Sequence, residues 1–422
     1  MERRDIGVQS STLGEEEQAS GHAGHGGRHA PEEEGVLMLG FAKTALTLCL
    51  LPLLLTGCWD IKDLQEINYL TAIGYDLQDG EFVVYGQMLD FASVAKSESG
   101  KSGQAQAWVG IGRGRTLINA IEDLYHTSQL RIFYGHVNAV VIGEKVLKDG
   151  DAMKQVYEFQ GRYYELRYTP WLFGTSKPID KIFSTSSIFT FSPAVSVLHQ
   201  PLETYKQMSV VRPMSIRRFT LEMQEPGRTV LLPSIALSEN RWKKGDRPQE
   251  MLMVDGAFAM KEHKLLGRYN LDDLQGLSWI EPESYRGPLI LYSGGEIQSA
   301  VVLENPKTIV HPRVRNGRAE FSLDVKLSGA LILSMAPKTE SEMEKEAEEK
   351  VRKQIRRLYD EGLKRDADLL RLEPAMYRQK NREWKSLRSQ GGLELTPESL
   401  KDIRVEVKIN RTGNIKNRAM AN

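Results

Sequence analysis

Residues 137–142, Val-Asn-Ala-Val-Val-Ile, form an apolar run whose length and composition are typical of a strand buried inside a sheet. Apolar residues at helical spacing occur on both sides of this run. Upstream they follow Thr116, a good helix cap, and downstream they include Met153 and Val156. Because strands and helices alternate, the sequence predicts a mixed α/β or α+β fold.

A β-hairpin is predicted further upstream. Residues 67–75 and 82–89 are rich in β-forming residues, and the turn-forming pair Asp79-Gly80 separates them. A third extended run, residues 105–111, is expected to join them. The polar, glycine-rich and serine-rich residues 93–103 predict a loop between the hairpin and this run.

The carboxyl-terminal half contains more strands and one long amphipathic helix. Residues 334–371 place apolar side chains on one helical face and charged side chains on the other. The last strand, 403–409, alternates Val405, Val407 and Ile409. Other predicted elements are strands at 253–260, 289–292, 300–303, 308–314 and 319–327 and a short helix at 272–277.

The amino-terminal region resembles a bacterial lipoprotein signal peptide. An apolar run, residues 45–55, follows Lys43 and leads into Leu-Thr-Gly-Cys ending at Cys58. A transmembrane helix is the alternative, but it needs about 20 apolar residues. We therefore predict that residues 38–57 are removed and that Cys58 is lipidated.

Residues 1–37 are rich in charge, glycine and histidine, a composition that cannot bury a core. Either they form a disordered extension or translation begins at Met38, which we favour. A chain beginning at Cys58 exceeds the usual size of one hydrophobic core. Prolines between residues 193 and 233 predict a boundary. We predict three consecutive domains, each a sheet packed with helices, at 58–228, 229–304 and 305–422.

Charge and cysteine content exclude several functions. Residues 1–57 hold four basic and eight acidic residues of the 56 of each kind, so a mature chain beginning at Cys58 has 52 basic and 48 acidic residues. This balance is too mild to indicate nucleic-acid binding. The chain has two cysteines, Cys49 and Cys58, and both are accounted for by the signal and its lipidation. Catalysis by a cysteine thiol is therefore not expected.

No motif supports an enzyme, a metal site or a cofactor. Gly110, Gly112 and Gly114 lack the spacing of a nucleotide-binding loop, so we interpret them as a flexible turn. Ser93-Val-Ala-Lys96 lacks the partner motifs of penicillin-recognising enzymes, and no Gly-x-Ser-x-Gly occurs. The histidines do not have zinc-ligand spacing. For His136 we favour a position at the edge of the core over a functional contact.

Several segments, in order, resemble the Ger(x)C lipoproteins, which are the C subunits of nutrient germinant receptors in endospore-forming bacteria. The likeness lies in Leu-Thr-Gly-Cys-Trp-Asp at 55–60, Ile-Gly-Tyr-Asp at 73–76, Tyr-Gly-His-Val-Asn at 134–138, Gly-Ala-Phe at 256–258 and Val-Glu-Val-Lys-Ile-Asn-Arg-Thr-Gly at 405–413. Asp366 is followed by Ala-Asp-Leu-Leu at 367–370, where the family usually has a glycine-containing turn.

The resemblance implies three α/β domains in a row and no catalytic activity or cofactor. It also implies a lipid anchor on the outer face of the spore inner membrane and assembly with two integral membrane subunits, A and B. A lipoprotein that binds a small ligand is the main alternative, and a surface hydrolase is a third.

Overall fold

The computed structural model describes residues 67–89, 107–185, 193–335 and 337–411. Cys58, residues 1–37 and 38–57, the predicted loop 93–103 and the Ser93–Lys96 motif lie outside these ranges. Within them the chain forms a mixed α+β structure in which helices pack on two β-sheets, one of nine strands and one of four. This confirms the predicted fold class.

The nine-stranded sheet has the order β3-β2-β1-β5-β6-β7-β8-β9, with β4 paired to β1. Its centre is parallel and its two flanks are antiparallel. The strands are β1 (Ile67–Gln78), β2 (Glu81–Leu89), β3 (Ala107–Gly114), β4 (Arg131–Phe133), β5 (Ala139–Gly143), β6 (Trp171–Thr175), β7 (Val230–Lys244), β8 (Arg247–Lys261) and β9 (Lys264–Asn270).

The helices of this region are α1 (Leu117–Thr127), α2 (Glu144–Lys148), α3 (Gly150–Arg162), α4 (Ile179–Ser184), α5 (Pro201–Gln207) and α6 (Ile216–Gln224), with a 3-10 turn at Pro193–Val195. The predicted buried strand is confirmed as β5. Val140 and Ile142 enter one core cluster, and Ala139 and Val141 enter another on the opposite face. Period-two alternation with both sets buried explains the continuous apolar run.

The predicted hairpin is confirmed as β1 and β2. Asp79 and Gly80 have φ values of 51° and 82°, as a two-residue type I′ turn requires. The register pairs Gln78 with Glu81 across this turn.

The prediction that Gly110, Gly112 and Gly114 form a flexible turn is wrong. They belong to β3, and α1 lies directly against them. A Cβ atom on Gly112 would lie 2.1 Å from the carbonyl oxygen of Ala120 in that helix. Glycine is required here for close helix-to-strand packing, not for flexibility. Thr116 caps α1 as predicted, accepting a hydrogen bond from the Asn119 N–H.

The predicted ranges 58–228 and 229–304 share the nine-stranded sheet. Strand β6 lies before residue 228 and pairs with β7, which lies after it. Strand β8 contributes to two hydrophobic cores. Phe258 and Met260 lie in the same core cluster as β5 residues Val140 and Ile142, whereas Ala257 and Ala259 lie in the core cluster of the carboxyl-terminal sheet. The division into three separate domains remains a prediction.

The four-stranded sheet has the order β10-β11-β12-β13. Its strands are β10 (Gly287–Ser293), β11 (Glu296–Arg315), β12 (Arg318–Ser334) and β13 (Leu400–Arg411), and a 3-10 turn, Gln275–Trp279, precedes them. We predicted residues 300–303 and 308–314 as separate strands, but β11 contains both. A register shift between Glu304 and Lys307, with Asn305 at a φ of 55°, marks a bulge where the apolar pattern is interrupted.

The long amphipathic helix is confirmed with shorter bounds, as α7 (Glu340–Leu363). Thr339 and Glu342 form a capping box at its start, and residue 334 still belongs to β12. The helix packs on β13, where the Val407 N–H donates to Glu348. The alternating face of β13 is buried, as predicted.

Two more helices follow, α8 (Leu372–Gln379) and α9 (Asn381–Ser389). The turn between α7 and α8 contains Asp366 at a φ of 52° and Arg371 at a φ of 60°. Asp366 thus adopts the left-handed conformation that a glycine would take most easily.

Candidate interaction site

The described residues contain neither a helix long and apolar enough to cross a membrane nor a group of three or more histidine, cysteine, aspartate or glutamate residues placed to hold a metal ion. The candidate lipidation residue, Cys58, lies outside the described ranges. The features of these ranges that suggest interaction are two histidine environments, a buried ionic cluster and an apolar cavity.

The side chain of His136 lies on the surface, not at the edge of the core as we favoured. Its ring stacks on the ring of Tyr69 with 4.6 Å between centroids, and it meets the ring of Phe133 at 6.0 Å. The loop between β4 and β5 places His136 beside the first strand, so aromatic stacking holds the imidazole there.

The histidine with a strongly altered environment is His199, which the sequence analysis did not single out. Burial lowers the pKa of His199 to about 4, so it is neutral at pH 7. Its Nε2 lies 2.9 Å from Oε1 of Gln87, and its Nδ1 contacts the side chain of Asn138.

The atoms that face the two ring nitrogens of His199 are both amide oxygens. The Gln87 amide N–H₂ donates to the carbonyl oxygen of Phe183 at 2.8 Å, so Oε1 is its acceptor end. Asn138 Oδ1, which faces Nδ1, is also an acceptor, so the neutral imidazole with its single N–H donates to only one of the two oxygens as they are placed. These groups lie far apart in sequence, and only Asn138 belongs to a motif singled out in the sequence, so no local signal pointed to His199. The network joins four chain segments, those of Gln87, Asn138, Phe183 and His199.

A buried ionic cluster connects the region around α6 with the segments before β10 and α8. Glu281 lies between Arg212, at 3.2 Å, and Arg371. Glu222 binds Arg218 at 2.6 Å and Arg228 at 2.7 Å.

Burial by itself would raise the pKa of Glu222, but Arg228 and Arg218 lower it below its ordinary value. The space inside the ionic cluster is only about 20 Å³, room for about one water molecule. The cluster therefore links parts of the chain and does not enclose a ligand.

An apolar cavity of about 810 Å³ lies between α5 and the facing parts of β7 and β8. Tyr205 and Met208 line it from the α5 side, and Trp242, Met251 and Leu252 line it from the strands. Met208 and Trp242 are large apolar side chains that are about half exposed. Its size and lining are those of a site for a small molecule or for a side chain of another protein.

Comparison with known families decides the affiliation. The spore germination protein N-terminal domain matches residues 60–237, and the spore germination B3/GerAC-like C-terminal domain matches residues 255–413. The chain belongs to the GerAC-like family of spore germination proteins.

Individual GerAC-like relatives are distant but span much of the chain. Spore germination protein KC of Bacillus subtilis (strain 168) is 23% identical over 393 residues, covering 87% of this chain and 95% of its own length. Spore germination protein B3 of the same organism is 23% identical over 295 residues, covering 68% and 74%. The crystal structure of the GerBC protein has a TM-score of 0.51 at 18% identity, covering 80% of this chain and 96% of its own, and shows the same fold.

One arrangement in this GerAC-like chain contains the residue types of a serine hydrolase. The register of β11 and β12 places Ser322 opposite His311, and Nε2 of His311 lies 2.8 Å from Oδ2 of Asp324. The His311 and Asp324 side chains are 43% and 34% exposed, and the hydrogen bonds found among the described residues do not join Ser322 to His311. A triad requires that bond and a shielded His–Asp pair. The arrangement does not support a hydrolase.

Proposed function

We propose that this protein is the lipid-anchored, non-enzymatic C subunit of a nutrient germinant receptor. It lies on the outer face of the spore inner membrane and acts with the integral membrane A and B subunits. The observation that carries the proposal is the extent of the family match. It begins at residue 60, two residues after Cys58, and ends at residue 413. The family-like chain therefore lies entirely downstream of the predicted acylation site.

The chemistry of the described residues supports a role in binding. Three of its polar groups with little exposure, Glu281, Glu222 and His199, are bound to other parts of the chain. Ser322, which lies opposite His311 and near Asp324, is on a sheet face where the His311 and Asp324 side chains are 43% and 34% exposed. A dual-acylated cysteine gives stable residence at a membrane, where one acyl chain is marginal.

A pair of cysteine variants tests the anchor and its role. Cys58→Ala should abolish incorporation of labelled palmitate and impair the response of spores to one class of nutrient. Cys49→Ala is the matched control, because that cysteine lies within the predicted signal segment and should leave both properties unchanged. Palmitate retained by Cys58→Ala would refute the anchor, and normal germination of spores carrying it would refute the need for one.

The apolar cavity favours a second candidate, a lipoprotein that binds a small ligand directly. Its volume of about 810 Å³ falls within the usual range for ligand pockets, roughly 300–1,000 Å³. Calorimetric titration of the protein with amino acids and sugars separates the two candidates. Saturable binding that Leu252→Trp abolishes would favour direct ligand recognition, whereas the main proposal expects no binding.

A further inference from the structure

The surface where the described chain enters its first strand is aromatic. Ile67 of β1 pairs with Arg131 of β4, and Tyr69 pairs with Phe133. Around this point we define the amino-terminal surface by six residues: Tyr125, Leu130, Arg131, His136, Tyr164 and Tyr168. Four of them are large, exposed side chains: Tyr164 is 84% exposed, Tyr168 49%, Leu130 40% and Tyr125 36%.

Contacts beneath the amino-terminal surface hold it together. Arg131 forms an ion pair with Glu165 at 2.6 Å, and the Tyr164 hydroxyl donates to the same carboxylate at 3.1 Å. The Tyr125 and Tyr134 hydroxyls lie 2.9 Å apart. The tyrosines therefore belong to an ordered part of the fold. Burying their exposed rings against another surface would cost little conformational entropy.

The charge of this surface is positive or neutral. Residues 125–136 contain His126, Arg131 and His136 and no acidic residue. Glu165 is buried beneath Arg131, and its side chain is 3% exposed. Arg167, between Tyr164 and Tyr168 in the chain, is exposed. Such a surface attracts anionic groups and does not repel them.

The length of the chain limits how far an anchor on Cys58 can lie from the start of β1. Eight residues separate Cys58 from Ile67, and the nine Cα-to-Cα steps between them span at most about 30 Å in an extended chain. A lipid on Cys58 therefore brings the bilayer within about 30 Å of the first residue of β1.

We propose that the amino-terminal surface lies in the headgroup layer of a bilayer that contains anionic phospholipid. The proposal rests on the proposed acylation of Cys58. Tyrosine suits this layer because its ring is apolar and its hydroxyl stays hydrated, and arginine pairs with lipid phosphate. Docking would orient the nine-stranded sheet with the start of β1 toward the membrane and the hairpin turn at Asp79-Gly80 away from it.

Spin labels on the lipidated full chain measure this orientation. The two native cysteines are both consumed by processing, so Gln129→Cys gives a single label site on the amino-terminal surface. Glu81→Cys is the control, because Glu81 begins β2 and pairs with Gln78 at the far end of β1, whose 12 residues extend over roughly 36 Å. In phosphatidylglycerol and phosphatidylethanolamine vesicles, the label at 129 should be shielded from a water-soluble nickel relaxant and accessible to oxygen, while the label at 81 should be fully water-accessible.

Variants of the surface test which groups dock it. Replacing Tyr164 and Tyr168 together by Ser should remove the protection at residue 129, whereas Tyr292→Ser, an exposed tyrosine of the other sheet, should leave it unchanged. Arg167→Gln should lower the equilibrium constant for docking about fivefold in anionic vesicles, because a basic residue near such a surface contributes about a factor of five to that constant.

The outcomes distinguish this proposal from the function on which it rests. Protein that floats with the vesicles but is as water-accessible at 129 as at 81 would overturn the docking and leave the anchor intact. Protein that does not float would overturn both. Protection at 129 that appears only when the integral membrane subunits are present would overturn lipid docking in favour of a protein contact.

Discussion

Replacing Glu281 by Gln removes the anion that lies between two arginines in the ionic cluster while preserving the shape of the side chain. The Glu281 side chain is 5% exposed, and its partners Arg212 and Arg371 are 19% and 30% exposed. Burial would lower the pKa of Arg371, but Glu281 raises it overall, so the arginine depends on this carboxylate for its charge compensation.

The expected loss of stability follows from that burial. Removing one partner of a buried ion pair lowers the free energy of unfolding by about 3–5 kcal/mol, because the other partner is left as an uncompensated buried charge. We expect the lower end, about 3 kcal/mol, since Arg212 keeps a second partner in Glu283. That is a large fraction of a typical unfolding free energy of about 5–15 kcal/mol.

Urea denaturation of the purified protein, followed by circular dichroism and tryptophan fluorescence, measures the change. Trp279, two residues before Glu281, is buried and reports directly on this region. Glu283→Gln is the matched control: its carboxylate is 54% exposed, so its loss should cost less than about 1 kcal/mol. Replacing Glu281 and Arg371 together by Met should recover much of the loss. Equal destabilisation by Glu281→Gln and Glu283→Gln would refute the reasoning.

Two further predictions concern other buried groups. The folded-state pKa of His199, about 4, lies below the roughly 6.5 of an unfolded histidine. Its contribution to stability is therefore complete above pH 6.5 and is lost as the pH falls toward 4, by about 3 kcal/mol. The unfolding free energy of His199→Gln, measured across this window, should fall less steeply than that of the wild type, and parallel curves would contradict the assignment. Val407→Asp should destabilise the carboxyl-terminal core by about 3 kcal/mol or more, since it places a carboxylate on a buried strand face, whereas Lys408→Asp on the exposed face should change the melting temperature little.

Patterns within single elements carried much of the correct sequence interpretation. The Asp79-Gly80 turn, the apolar run of β5 and the alternation of β13 each report the local surroundings of one strand. The motif order also indicated the family. We misinterpreted Gly110, Gly112 and Gly114 as a turn. The sequence does not distinguish a glycine that makes a loop flexible from a glycine that allows a helix to pack closely on a strand.

The sequence by itself determined the element types, the GerAC-like affiliation and the candidate acylation site at Cys58, because periodicity, turn chemistry and short motifs need only neighbouring residues. The tertiary structure alone decided which strands pair and which buried polar groups meet. Glu281 and Arg371 are 90 residues apart, and Gln87 and His199 are 112 apart. Those partnerships follow from how the sheet orders its strands, and strand order depends on long-range packing that leaves no mark on the local pattern of either partner.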